Sequence, residues 1–128
     1  DLSRINLTDD KDAILNKIKK AKTDPLPMPS SVEELNERLE TKNLLCIYSS
    51  LNNSTLQNTV ENFSGKNFSE FKNQLSDLLV KKIEPISLEI KKLLNDQPYL
   101  DKILLEGVEK ANSIASKKID RIKEILGF

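Results

Sequence analysis

Apolar side chains recur at steps of three and four through most of the chain, which keeps them on one stripe of a 3.6-residue helix. The longest run spans residues 67–95, with Phe68, Phe71, Leu75, Leu78, Leu79, Ile83, Ile86, Ile90, Leu93 and Leu94 in phase. It predicts one central helix about 40 Å long, enough to cross a small domain. Asn67 is placed to cap its start, with Glu70 three residues on to reach back as in a capping box. Pro85 lies inside this run, where its missing amide frees the Lys81 carbonyl and its ring crowds the preceding turn. Because the stripe stays in phase from Ile83 to Ile86 and Ile90, the pattern favours a kinked helix; two helices meeting at Glu84 is the alternative.

The remaining segments are shorter variations on that pattern. DLSRINLTDD has no period and reads as an extended lead-in. Thr8 and Asp9 are suited to cap a helix over 10–22 whose apolar face is Ile14, Leu15, Ile18 and Ala21. The pair Asp24-Pro25 stops it, and PLPMPSS follows as a proline-rich surface loop. Ser31 and Glu34 form a second capping-box pattern, opening a short acidic helix to about Leu39 with Val32, Leu35 and Leu39 inward. NLLCIYSSL, from Asn43, is apolar nearly all round and predicts a buried central helix. Asn52-Asn53 is a turn, after which Ser54 and Gln57 cap a helix to Phe63 closed by Gly65. Asp96 and Pro98 open another helix with Tyr99, Leu100, Ile103 and Leu104 on its apolar side. Gly107 bends or restarts it, and Val108, Ala111, Ala115, Ile119, Ile122 and Leu126 continue the stripe, with Gly107, Ala111 and Ala115 small enough for close helix contact. No strand signal survives, so the expected fold is all-α: a bundle of five to seven helices around one long, kinked helix.

Composition narrows the function. At 128 residues with a net charge of zero and 31% charged side chains, the chain is the size of one domain and carries no overall field toward polyanions. Any RNA contact must therefore be a local patch. Two basic faces are candidates: Lys11, Lys17, Lys19, Lys20 and Lys22 on the first helix, and Lys110, Lys117, Lys118, Arg121 and Lys123 on the last. Helix-dipole pairing and ordinary solvation account for both faces and are favoured over phosphate contact. Without histidine, and with Cys46 alone, a protein-built zinc or iron–sulfur site is not expected, and Cys46 reads as a small core residue rather than a nucleophile. No apolar run reaches the roughly 18 residues of a membrane span, and no signal peptide opens the chain. No carboxylate pair, activated nucleophile or glycine-rich phosphate loop is present, which favours a binding or scaffolding module over an enzyme.

Several words nevertheless occur together in order. INLTDD followed by IKKAKTDP (18–25), NLLCIYSSL (43–51), GKNFSEFK (65–72), YLDKILLEGVEKANSIAS (99–116) and a closing GF resemble the carboxy-terminal part of bacterial tryptophanyl-tRNA synthetases, which are class I aminoacyl-tRNA synthetases. That family has a nucleotide-binding Rossmann domain with a HIGH-like signature and a KMSKS loop, followed by a helical domain that reads the tRNA anticodon. Neither signature occurs here, and Asp1 resembles the residue that follows the KMSKS loop. The resemblance implies that residues 1–9 connect to a missing catalytic domain and that residues 10–128 form the helical anticodon-binding-type domain of a truncated or processed piece.

The same resemblance implies a cytoplasmic parent enzyme that charges tRNA(Trp) with tryptophan, using ATP with Mg and acting as a homodimer. This piece would bind no cofactor and perform neither chemical step. Lys66, Lys72 and Lys110 are the positive residues of the matched words expected to touch RNA at the starts of the two longest helices. The alternative for Lys72 and Lys110 is pairing with acids such as Glu109. The sequence departs from the family where many members have Pro-Gly: here Glu40-Thr41-Lys42 stands, and 25–40 looks like a lineage variant. With Cys46 alone, the cysteine-bound cluster of some members is not expected. A helical protein-interaction module without RNA binding remains the alternative function.

Overall fold

The computed structural model describes residues 2–127. Asp1 and Phe128, the two ends of the resemblance, lie outside the described residues. The chain divides into two compact units, Asp1–Leu88 and Glu89–Phe128, and among the described residues all regular structure is helical.

In the first unit, α1 (Lys11–Lys20) begins one residue later than expected. Its cap is Asp10, whose carboxylate accepts the Ala13 amide at 2.8 Å. Neither Thr8 nor Asp9 serves, because the Asp9 carboxylate instead takes the Asn6 amide and the Lys17 ammonium. That pair is 10–12% exposed, and the Lys17 bond, helped by the Asn6 amide, holds Asp9 below its ordinary pKa.

The 25–31 loop lies at the surface as its prolines suggest, with Pro25, Leu26, Pro27 and Ser30 exposed, but its middle is anchored in the core. Met28 and Pro29 are buried, and Met28 pairs its backbone in both directions, its amide donating to the Lys66 carbonyl at 3.0 Å and its carbonyl accepting from Gly65 at 3.4 Å. Gly65 has φ +71, a left-handed turn that glycine enters without a Cβ clash. The acidic helix expected after Ser31 shrinks to a 3₁₀ turn, Glu33–Asn36, with no side-chain cap; Glu34 instead accepts the Ser30 amide. Arg38 explains the early stop. Its backbone leaves the helical region while its guanidinium grips Asp24 through Nε at 2.9 Å and Nη2 at 2.7 Å, and also donates to the Pro27 carbonyl. Thr41 adds a third bond to Asp24.

Helix α2 (Leu39–Leu51) therefore starts at Leu39, four residues before the apolar word, and Leu39 itself is exposed. It buries Leu44 and Leu45, while Ile47, Tyr48 and Leu51 are only partly covered. Helix α3 (Leu56–Phe63) is capped by Thr55 rather than Ser54; Ser54 bonds the Thr59 hydroxyl and Gln57 the Glu61 carboxylate.

Helix α4 (Phe68–Asn95) runs through Pro85 without a break, so the two-helix alternative does not occur. Pro85 and Lys81 both face solvent, where water can take the carbonyl that lost its amide partner. Asn67 caps the helix by accepting the Glu70 amide at 2.8 Å; Glu70 turns to Lys66 instead of closing the box. Phe71, Leu75, Leu79 and Ile83 are buried, but burial along α4 ends at Ser87: Ile86 and Leu94 are exposed. The centre of this unit is an aromatic trio, with Phe63 edge-on to Tyr48 and to Phe71 at 4.9 Å each.

The second unit holds the end of α4 and helix α5 (Gln97–Leu126), capped by Asp96, which accepts the Tyr99 amide, and ended by Gly127 at φ +80. It continues straight through Gly107. Contrary to the expected core face, α5 has no buried residue, and the small-residue stripe is unused, since a Cβ on Gly107 would meet open space.

Candidate nucleic-acid interface

The three lysines expected to contact RNA sit in three different settings. Lys66 precedes α4, with its ammonium 3.0 Å from the Glu70 carboxylate and 5.4 Å from the Phe63 ring centroid. Lys72, one turn into α4, meets no acid among the described residues. Its ammonium donates to the Ala21 carbonyl at 2.6 Å and the Lys19 carbonyl at 3.4 Å, the free carbonyls at the end of α1. Partial burial pushes the Lys72 ammonium below its ordinary lysine pKa. Lys110 is exposed in the middle of α5, not at a helix start, because Gly107 does not interrupt that helix.

The α1–α4 junction forms a groove of about 480 Å³ lined by Leu15, Lys19, Phe68, Ser69, Lys72, Asn73 and Ser76. Lys19 and Asn73 are exposed along it. Phe68 borders the groove, and the Arg38 guanidinium lies 5.8 Å from its ring centroid. Arg38 also lines a separate hollow with Asp24, Glu34, Glu37 and Glu40, whose carboxylates repel an approaching polyanion. The Arg38 bonds, aided by Thr41 and the Leu26 amide, hold Asp24 below its ordinary pKa and keep it ionised. The first unit therefore presents both a basic groove and an acidic hollow, a contrast that zero net charge conceals.

Sequence reasoning missed Lys19, Phe68 and Asn73 as a group, because they join only when α1 docks on α4. It also missed the Lys72 cap, whose acceptors lie 51 and 53 residues away. Of the first basic face, Lys17 and Lys22 are engaged by Asp9 and Glu40. Cys46 is a partly buried free thiol. Among the described residues, no three histidine, cysteine or carboxylate side chains gather to hold a metal, and no helix is long and apolar enough to cross a membrane.

No family model matches the chain. Among curated proteins, the tryptophan–tRNA ligase of Agrobacterium fabrum is 47% identical over 128 residues, that of Rhizobium meliloti 44%, and that of Rickettsia conorii 44%. Each alignment takes in the whole chain, which spans only 36%, 36% and 38% of the respective relatives. Throughout its length, the chain matches a carboxy-terminal part of bacterial tryptophan–tRNA ligases.

Proposed function

We propose that this chain is the anticodon-binding region of a tryptophan–tRNA ligase, with residues 1–9 as the connection to a Rossmann catalytic domain and 10–128 as the helical reader. The observation that carries this reading is 41–47% identity over all 128 residues to several such ligases. The parent enzyme would activate tryptophan with ATP and Mg, transfer it to tRNA(Trp), and work as a cytoplasmic homodimer. The chain contains neither a HIGH-like nor a KMSKS word, so catalysis belongs to the rest of the enzyme, where the phosphates are positioned.

Within this reading the three lysines serve RNA differently. Lys66 and Lys110 contact phosphates directly, Lys66 by exchanging its Glu70 partner, and Lys72 acts by holding the end of α1. The test is aminoacylation by the full-length protein, using tRNA(Trp) and a transcript with a replaced anticodon. The expected outcome is strong charging of the first and weak charging of the second; equal charging of both would overturn anticodon reading. The isolated 128-residue chain should show no tryptophan-dependent exchange of pyrophosphate into ATP, and exchange above a buffer blank would contradict its non-catalytic role.

A further inference from the structure

Resting on that reading, we propose that the groove between the end of α1 and the start of α4 receives one unstacked base of the anticodon loop, with Phe68 as stacking surface, Asn73 reading the base edge and Lys19 holding its phosphate. At about 480 Å³ the groove falls in the range of small-ligand pockets, roughly 300–1,000 Å³. Unpaired bases in RNA are recognised by stacking on aromatic rings and by hydrogen bonds to their edges, and the groove supplies both kinds of group. Phe68 is partly buried and so fixed in place, whereas Asn73 is exposed and carries both amide donors and a carbonyl acceptor.

Two electrostatic features favour the phosphate here. The end of a helix ordinarily presents free carbonyls and a negative dipole, which repels anions. At α1 that end is neutralised by the Lys72 ammonium on the Ala21 and Lys19 carbonyls. On the other wall, the first turn of α4 presents amides with no intrahelical acceptor, the positive end of its dipole. Lys72 is thus a positioning residue, and Lys19 the side chain left to meet the phosphate.

The experiment uses the full-length enzyme carrying Lys19→Ala, Asn73→Ala or, as a control outside the groove, Lys20→Ala. All three positions are exposed, and tryptophan activation reports retained folding. Charging of tRNA(Trp) and of an anticodon-replaced transcript is measured over a range of salt. Lys19→Ala should weaken both transcripts alike and lower the salt slope by about one. Asn73→Ala should leave the slope unchanged and reduce discrimination between the transcripts by about fivefold or more, the scale of one lost base-edge contact. Wild-type discrimination that persists in Asn73→Ala, or a wild-type salt slope that persists in Lys19→Ala, would overturn the groove while leaving anticodon reading intact. An effect of Lys20→Ala equal to that of Lys19→Ala would also overturn it, since the attraction would then be a diffuse field. Absence of discrimination in the wild type would refute the anticodon reading itself.

Discussion

Helices α4 and α5 carry the same pattern and meet opposite fates. Both are long, both step their apolar residues by three and four, and both are capped by a side chain just ahead of the first turn. Yet α4 buries Phe71, Leu75, Leu79 and Ile83, while Ile103, Val108, Ile119 and Ile122 of α5 all remain about half exposed. The difference teaches that periodicity records the existence of a stripe and says nothing about what covers it. For α4 the cover comes from the neighbouring Phe63 and from residues remote in sequence, including Ile14, Met28 and Leu45.

The largest test of this contrast is Phe71→Ala, which removes a fully buried ring and should destabilise the chain by about 3–5 kcal/mol, measured by urea unfolding followed by helical circular dichroism. Next, Arg38→Ala leaves Asp24 without its two charged bonds and should cost about 2 kcal/mol. Acid should mimic that loss. Because the folded-state pKa of Asp24 and of Asp9 is lowered from 3.8, their contribution is complete above pH 3.8 and disappears as the pH falls through the lower folded value. Unfolding midpoints in wild type should drop over that acid range, and the drop should be smaller in Arg38→Ala.

In α5 the signs change. Gly107→Ala, in open space within a helix, should stabilise that helix by about 1 kcal/mol; destabilisation would mean that something packs tightly there. The smallest effect is expected from Ile119→Ser, within about 0.5 kcal/mol of wild type. A cost for Ile119→Ser approaching that of Phe71→Ala would erase the contrast between the two helices.

Local signals were legible in the chain. Asn67 and Asp96 were readable as caps because each acts on an amide three residues on, and α4 was readable because its stripe stays in phase on both sides of Pro85. Segments governed by distant partners were not. The 3₁₀ turn replaced a helix because Arg38 reaches back to Asp24, and Met28 entered the core because Gly65 and Lys66 offered backbone partners. For the interface, the sequence pointed to lysines by charge and to the word GKNFSEFK by resemblance. It could not reveal that Lys72 would spend its donors on α1 carbonyls, nor that Lys19 and Asn73 would share a groove, since both depend on the docking of α1 against α4.

The seating of the 25–31 loop also has a chemical consequence. Met28 is the sole methionine and is 2% exposed, its backbone bonded on both sides to the turn before α4. Peroxide converts a thioether to the sulfoxide only where it can reach the sulfur, and the product is too polar to return comfortably to an apolar site. Oxidation must therefore wait for this segment to lift away, and should then keep it from reseating. With Met28 as the one thioether and the Cys46 thiol blocked by alkylation beforehand, the sulfoxide content of a sample becomes a clock for openings of this segment, readable from the intact mass without mapping fragments.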